Sequence, residues 1–122
     1  MMQQEEKLRV STEQLEGGLG LVAAAGYINN EGGQAIADAV NELVASGCRT
    51  ILIDLEGTRI INSIGISILL EILDRLMESG GTMAFCNLTP TIARTFEIMG
   101  LVQYARIFPD RAAALAALGR DG

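Results

Sequence analysis

The 122-residue chain reads as an α/β protein, with elements in the order β-β-α-β-α-β-α-β-α and helices packed against a mixed sheet. Three observations predict this. Short, nearly continuous apolar runs at Thr50–Leu55 and Thr82–Cys86 suit strands buried on both faces. Over Gln34–Ser46 and Ser63–Ser79 the apolar residues recur at spacings of three and four, the helical period. The chain begins with two strand-like segments joined by a glycine turn, so its first pair is antiparallel.

Each element has its own local signal. Leu8–Leu15 alternates loosely, Glu16-Gly17-Gly18 turns, and Leu19–Ile28 returns as a strand of small apolar residues. Asn29-Asn30-Glu31-Gly32-Gly33 breaks that pattern, and either asparagine can cap the helix that follows. Ile36, Ala37, Val40, Leu43 and Val44 mark one face of Gln34–Ser46, which Gly47 closes. After the Thr50–Leu55 strand, Glu56–Ile61 reads as a loop. In Ser63–Ser79, Ile64, Ile68, Ile72 and Leu76 form one apolar row and Leu69, Leu73 and Met77 the next. Thr89 followed by Pro90 is a cap with proline at the first helical position, opening the helix Pro90–Met99. Ala105–Phe108 is a final short strand, and Asp110 caps a last helix, Arg111–Leu118. Successive strand–helix–strand units require Leu19–Ile28, Thr50–Leu55 and Thr82–Cys86 to run in one direction. Sites in such sheets lie at the carboxyl ends of the strands, here Asn29–Gly33, Glu56–Asn62 and Asn87–Thr91.

Composition narrows the function. Nine basic residues against fifteen acidic give a net charge of −6, which opposes nucleic acid and anionic membrane surfaces. No apolar run approaches the roughly 20 residues of a membrane span, and Met1–Lys7 is polar and acidic, unlike a signal peptide. The cytoplasm is therefore the default location. Histidine is absent, which removes the commonest general base and metal ligand. There is no phosphate loop, and Cys48 and Cys86 have no partners to complete a metal shell, so they read as buried free thiols. No catalytic residue, metal or cofactor is expected. Asp54 and Glu56 are conceivable as an acid pair, but they read better as solvated residues at a strand exit.

The segment Ile60-Ile61-Asn62-Ser63-Ile64-Gly65-Ile66-Ser67 invites two readings. In the first, Asn62 or Ser63 caps the helix and Gly65 lets it pack closely on the sheet. In the second, Ser63 accepts a phosphoryl group, which the unpaired N–H groups and positive partial charge of a first helical turn tolerate. That group would set about two negative charges in an apolar surface made by Ile61 and Ile64. Folding would survive and docking would be lost, as a switch requires.

With these residues in view, the sequence resembles STAS domains of the anti-sigma-factor antagonist type. The resemblance runs from about Leu8 to Leu118, so residues 1–122 are expected to form a single STAS domain. The element order matches the family plan. Gly26-Tyr27-Ile28-Asn29 stands where members often carry Gly-Glu-Leu-Asp. Ile53-Asp54-Leu55 followed by Asn62-Ser63-Ile64-Gly65 stands where members have an apolar-Asp-Leu strand and then Asp-Ser-Ser-Gly. The chain departs from the pattern at Asn29, Asn62, Ile64 and Ser67.

The resemblance implies a protein-binding regulator rather than an enzyme. An unphosphorylated antagonist of this kind binds an anti-sigma factor, often also a serine kinase using ATP and magnesium, and so releases a sigma factor. Phosphorylation of the serine matching Ser63 ends the complex, and a serine phosphatase restores it. Asn29 and Asn62–Gly65 are implied to face the kinase. With Asn30, Ile61 and Ser67 they make up the expected partner-binding set of Asn29, Asn30, Ile61, Asn62, Ile64, Gly65 and Ser67 around the phosphorylation site, Ser63. Two alternatives stand beside this. One is a constitutive STAS adaptor, scaffold or transporter-complex subunit, with Ser63 only a helix cap. The other is a small-ligand sensor whose pocket is lined by Asn29, Asn30, Asn62 and Asn87.

Overall fold

A computed structural model describes residues 8–121, so the reading of Met1–Lys7 lies outside the described residues. The observed elements are β1 (Arg9–Leu15), β2 (Leu19–Ile28), α1 (Asn30–Ala45), β3 (Thr50–Ile61), α2 (Ser63–Glu78), β4 (Thr82–Cys86), α3 (Pro90–Ile98), β5 (Arg106–Phe108) and α4 (Arg111–Asp121). A short 3₁₀ turn at Leu101–Gln103, not anticipated from the sequence, links α3 to β5. No helix among the described residues is long and apolar enough to cross a membrane.

The five strands lie in sequence order, β1-β2-β3-β4-β5. β1 is antiparallel to β2, and β2, β3 and β4 are parallel, as expected; β5 pairs parallel with β4. This order fixes the layering. When consecutive parallel strands are neighbours and every crossover is right-handed, the crossover helices must all stack on one face. α1, α2 and α3 accordingly pack on one side, and α4 is left to the other.

Strand alternation splits the core to match. Val22, Ala24, Ile28, Ile51, Ile53, Leu55, Met83 and Phe85 point into the larger cluster with Ile36, Leu43, Leu69, Leu73 and Phe96. Leu19, Leu21, Leu52, Ala84 and Cys86 point the other way, to Ala114 and Leu118 of α4.

One expectation is overturned. Glu56–Ile61 is not a loop but the second half of β3, which runs without a break for 12 residues. Two irregularities in its pairing make this possible. From Ala23 to Ala25 and again from Ala25 to Tyr27, two steps along β2 are matched by three along β3, where Asp54, Gly57 and Ile60 are the partners. Each is a bulge carrying one extra residue on β3. One such slip reverses every side chain that follows, and two restore the original alternation. Ile61 therefore returns to the face of Ile51 and Ile53 and packs against the same core. Between the bulges the strands approach closely: a Cβ on Gly57 would stand 2.5 Å from that of Ala25. The buried Thr58 hydroxyl donates to the Ala24 carbonyl, 3.3 Å away. Polar residues and a glycine hid this strand because its support is cross-strand.

A second expectation also fails. Asp54 is not solvated but 2% exposed. Its carboxylate accepts from the Glu56 N–H at 3.0 Å, the Asn87 Nδ2 at 3.0 Å and the Arg111 Nε at 2.8 Å. The first bond satisfies a backbone donor at the first bulge, and the others join the exits of β3 and β4 to the start of α4. Glu56 itself is exposed, as expected.

Both thiols are free and buried, again as expected. Burial pushes the Cys86 thiol up to about 12 from an ordinary value of 9.0; the nearby Asp54 charge adds to the shift and Arg111 opposes it. The unfolded chain releases this proton near pH 9 and the folded chain only near pH 12, so its contribution to stability is intact below pH 9 and is lost as pH rises towards 12. Denaturation followed across that range is expected to show the loss in the wild type and a smaller one in Cys86→Ala. At neutral pH, thiol reagents are expected to modify Cys86 only after unfolding.

Candidate functional site

The ends of β2 and β3 lie side by side, and each leads directly into a helix capped by an asparagine. Asn29, in extended conformation before α1, accepts from the Gly32 N–H at 2.9 Å. Asn62, likewise extended before α2, accepts from the Gly65 N–H at 2.8 Å. Each side chain thus answers one of the unpaired donors of a first turn. The caps settle the alternatives left open by the sequence, because Asn62 rather than Ser63 caps α2, and Asn29 rather than Asn30 caps α1. Asn30 becomes the first, exposed residue of a helix that starts four residues before the expected Gln34.

Two bonds tie the segments together. The Asn62 N–H donates to the Ile28 carbonyl at 3.1 Å, and the Asn62 Nδ2 donates to the Tyr27 hydroxyl at 3.2 Å. Gly65 permits the approach. It is buried, and a Cβ there would land on the Ile28 carbonyl oxygen and stand 2.9 Å from Ile28 Cγ2. Of the expected partner-binding residues, Gly65 therefore acts from inside by setting α2 down on β2. Tyr27 was not anticipated as part of the site. Its only sequence signal is its place just before Ile28-Asn29, since the bond to Asn62 crosses 35 positions.

Ser63 is left as the first helical residue, exposed, with its side chain free of the capping role. Its carbonyl accepts from the Ser67 hydroxyl at 3.0 Å, and Ser67 is also exposed. No acidic residue stands in the first turn of α2. The positive end of that helix is therefore uncompensated by its own side chains, which favours an added anion.

The apolar surroundings differ from expectation in one residue. Ile61 is half-buried against the core, whereas Ile64 is 52% and Ile60 60% exposed. The alternation restored by the two bulges turns Ile61 inward and Ile60 outward.

Three of the four asparagines proposed to line a ligand pocket are otherwise engaged. Asn29 and Asn62 cap helices, and Asn87 donates to Asp54. Asn30 is exposed at the start of α1.

The caps make separable predictions. Asn62→Ala is expected to cost about 1 kcal/mol of stability, and Ser63→Ala close to nothing, in urea denaturation. Equal losses would mean that Ser63 shares the cap.

A mixed five-stranded sheet in sequence order, three crossover helices on one face and an exposed serine opening the second of them together describe the STAS architecture. The comparisons agree: the STAS domain model matches residues 10–114, and the chain belongs to this family. BtrV of Bordetella bronchiseptica, named as an anti-sigma factor antagonist, is 24% identical over 110 residues, covering 90% of this chain and 94% of BtrV. The crystal structure of an anti-sigma factor antagonist from Mycobacterium paratuberculosis superposes with a TM-score of 0.78 at 23% identity, covering 91% of this chain and 93% of that one. The Bacillus cell fate determinant SpoIIAA in its phosphorylated form gives 0.69 at 17% identity, covering 93% and 100%. At these identities the solved structures establish the fold.

Proposed function

We propose that the protein is an anti-sigma-factor antagonist controlled by phosphorylation of Ser63. Unphosphorylated, it binds an anti-sigma factor and so frees a sigma factor, acting in the cytoplasm as a binding protein rather than a catalyst. The observation that carries this reading is the division of labour at the start of α2: Asn62 takes the cap and Ser63 stays exposed beside Ile64. The relatives' names support the partner class, and SpoIIAA has been solved in a phosphorylated form.

In the proposed cycle the anti-sigma factor is also a serine kinase. The Ser63 Oγ attacks the γ-phosphorus of ATP, the hydroxyl proton passes to a base of the kinase, and ADP leaves. The product carries about two negative charges at the helix N-terminus. The dipole accommodates them and the fold is kept. A partner seated on Ile64, Asn29, Asn30 and Ser67 meets a charge that it must desolvate, and it leaves. A serine phosphatase hydrolyses the ester and restores docking.

The test is a binding titration of wild type, Ser63→Ala and Ser63→Asp against the candidate anti-sigma factor, with circular dichroism to confirm folding. Wild type and Ser63→Ala are expected to bind alike, and Ser63→Asp at least about tenfold more weakly, the effect of one uncompensated charge at a docking surface. Equal binding by all three would make the protein a constitutive adaptor.

A further inference from the structure

The two edges of the sheet are built differently. β5 is three residues long and is followed at once by Pro109, both features that discourage pairing with another chain. β1 has neither protection. It is seven residues long, largely exposed, without proline, and its register with β2 is unbroken from Arg9↔Ala25 to Leu15↔Leu19. β2 is its sole neighbour in the sheet, so its outer row of backbone donors and acceptors faces no other strand among the described residues.

The order of side chains along this edge is complementary to itself. In Arg9-Val10-Ser11-Thr12-Glu13, the residues on either side of Ser11 match when a second copy runs antiparallel. Arg9 then lies opposite the other copy's Glu13, and its Glu13 opposite the other copy's Arg9. Val10 meets Thr12, a β-branched pair of the kind that stabilises ladders. The faces agree as well. Val10 packs towards the helical core and Leu15 towards α4, so Arg9, Ser11 and Glu13 share the α4 side of the sheet. Among the described residues, neither Arg9 nor Glu13 forms an ion pair within the chain.

We propose that β1 is a self-pairing edge: two copies of this chain join antiparallel across β1, about a two-fold axis at Ser11, and extend the sheet from five strands to ten. The contact is isologous, so both charge pairs form or neither does. It is small compared with the roughly 1,200 Å² of a stable interface, so the dimer is weak and concentration-dependent. It lies two strands away from β3, so it leaves Ser63 open on both copies. The inference is independent of the role assigned to Ser63.

The experiment is sedimentation velocity of the full chain from about 10 µM to about 1 mM, the span of weak protein pairs. Circular dichroism accompanies each variant. Wild type is expected to move towards a dimer as concentration rises. Arg9→Glu places two acids opposite each other twice, and Glu13→Arg two bases twice. Each alone is expected to weaken the dimer by roughly tenfold or more. The double variant Arg9→Glu/Glu13→Arg is expected to recover it. An equimolar mixture of the two single variants is expected to form a heterodimer, because all-acid then faces all-base.

A wild type that stays monomeric throughout overturns the proposal. So does a dimer indifferent to both reversals, as one built on exposed apolar residues such as Ile98, Met99 or Tyr104 would be. Failure of both the double variant and the mixture to recover the dimer overturns it equally.

Discussion

Asp54→Ala is expected to lower the free energy of unfolding by about 3 kcal/mol, the scale of breaking a buried, hydrogen-bonded ion pair. The carboxylate is 2% exposed and receives three donors from three parts of the chain. Its removal leaves the Glu56 N–H and the Asn87 amide without their acceptor. Arg111, at 43% side-chain exposure, turns to water instead, which keeps the loss at the lower end of the range. Asp54→Asn keeps the shape and an acceptor but not the charge, so it is expected to lose less. Urea denaturation of the two variants with Arg111→Ala separates these contributions. An Asp54→Ala cost no larger than that of Arg111→Ala would reduce the network to its ion pair. Although Asp54 resembles a catalytic carboxylate in its burial, all its bonds are structural: it closes the first bulge of β3 and anchors α4.

Gly65→Ala is expected to cost about 2 kcal/mol and to weaken partner binding at the same time. The added methyl would meet the Ile28 carbonyl, a backbone atom that cannot rotate aside. α2 must lift, and the Asn62 N–H bond to that same carbonyl lengthens or breaks. The measurement is a pair of curves, thermal unfolding and partner titration. Both should shift for Gly65→Ala, whereas Ser63→Asp should shift only the titration. A Gly65→Ala protein with wild-type stability would show that the helix seat has slack. The contrast matters because the proposed switch needs a rigid platform beside a changeable charge, and it assigns these two parts to Gly65 and Ser63, within a single helical turn.

Which features were legible in the sequence follows from how local their causes are. Periodicity marked α1 and α2, caps marked α3 and α4, and apolar runs marked the buried cores of β2, β3 and β4, because each of these signals is carried by neighbouring residues along the element. The caps were legible to within a residue, since Asn29, Asn62, Thr89 and Asp110 act on N–H groups three positions ahead. The candidate serine was visible for the same reason: it begins an amphipathic helix just after the apolar pair Ile60-Ile61.

What tertiary structure alone decided depends on partners far away in the chain. The second half of β3 is held by Ala24, Ala25, Tyr27 and Ile28, and its polar composition gives no strand signal without them. Asp54 looked like a surface acid until Arg111, 57 positions later, folded over it. Tyr27 entered the site through a bond to Asn62, and the choice of Asn62 over Ser63 as cap depended on how β3 delivers the chain to α2. The sequence alone determined the order of the strands and helices and the serine at the head of α2. Only the packed sheet decided which side chains at that point are committed to the fold and which are left free to meet a partner, because burial and hydrogen-bond commitment are set by neighbours that only folding brings together.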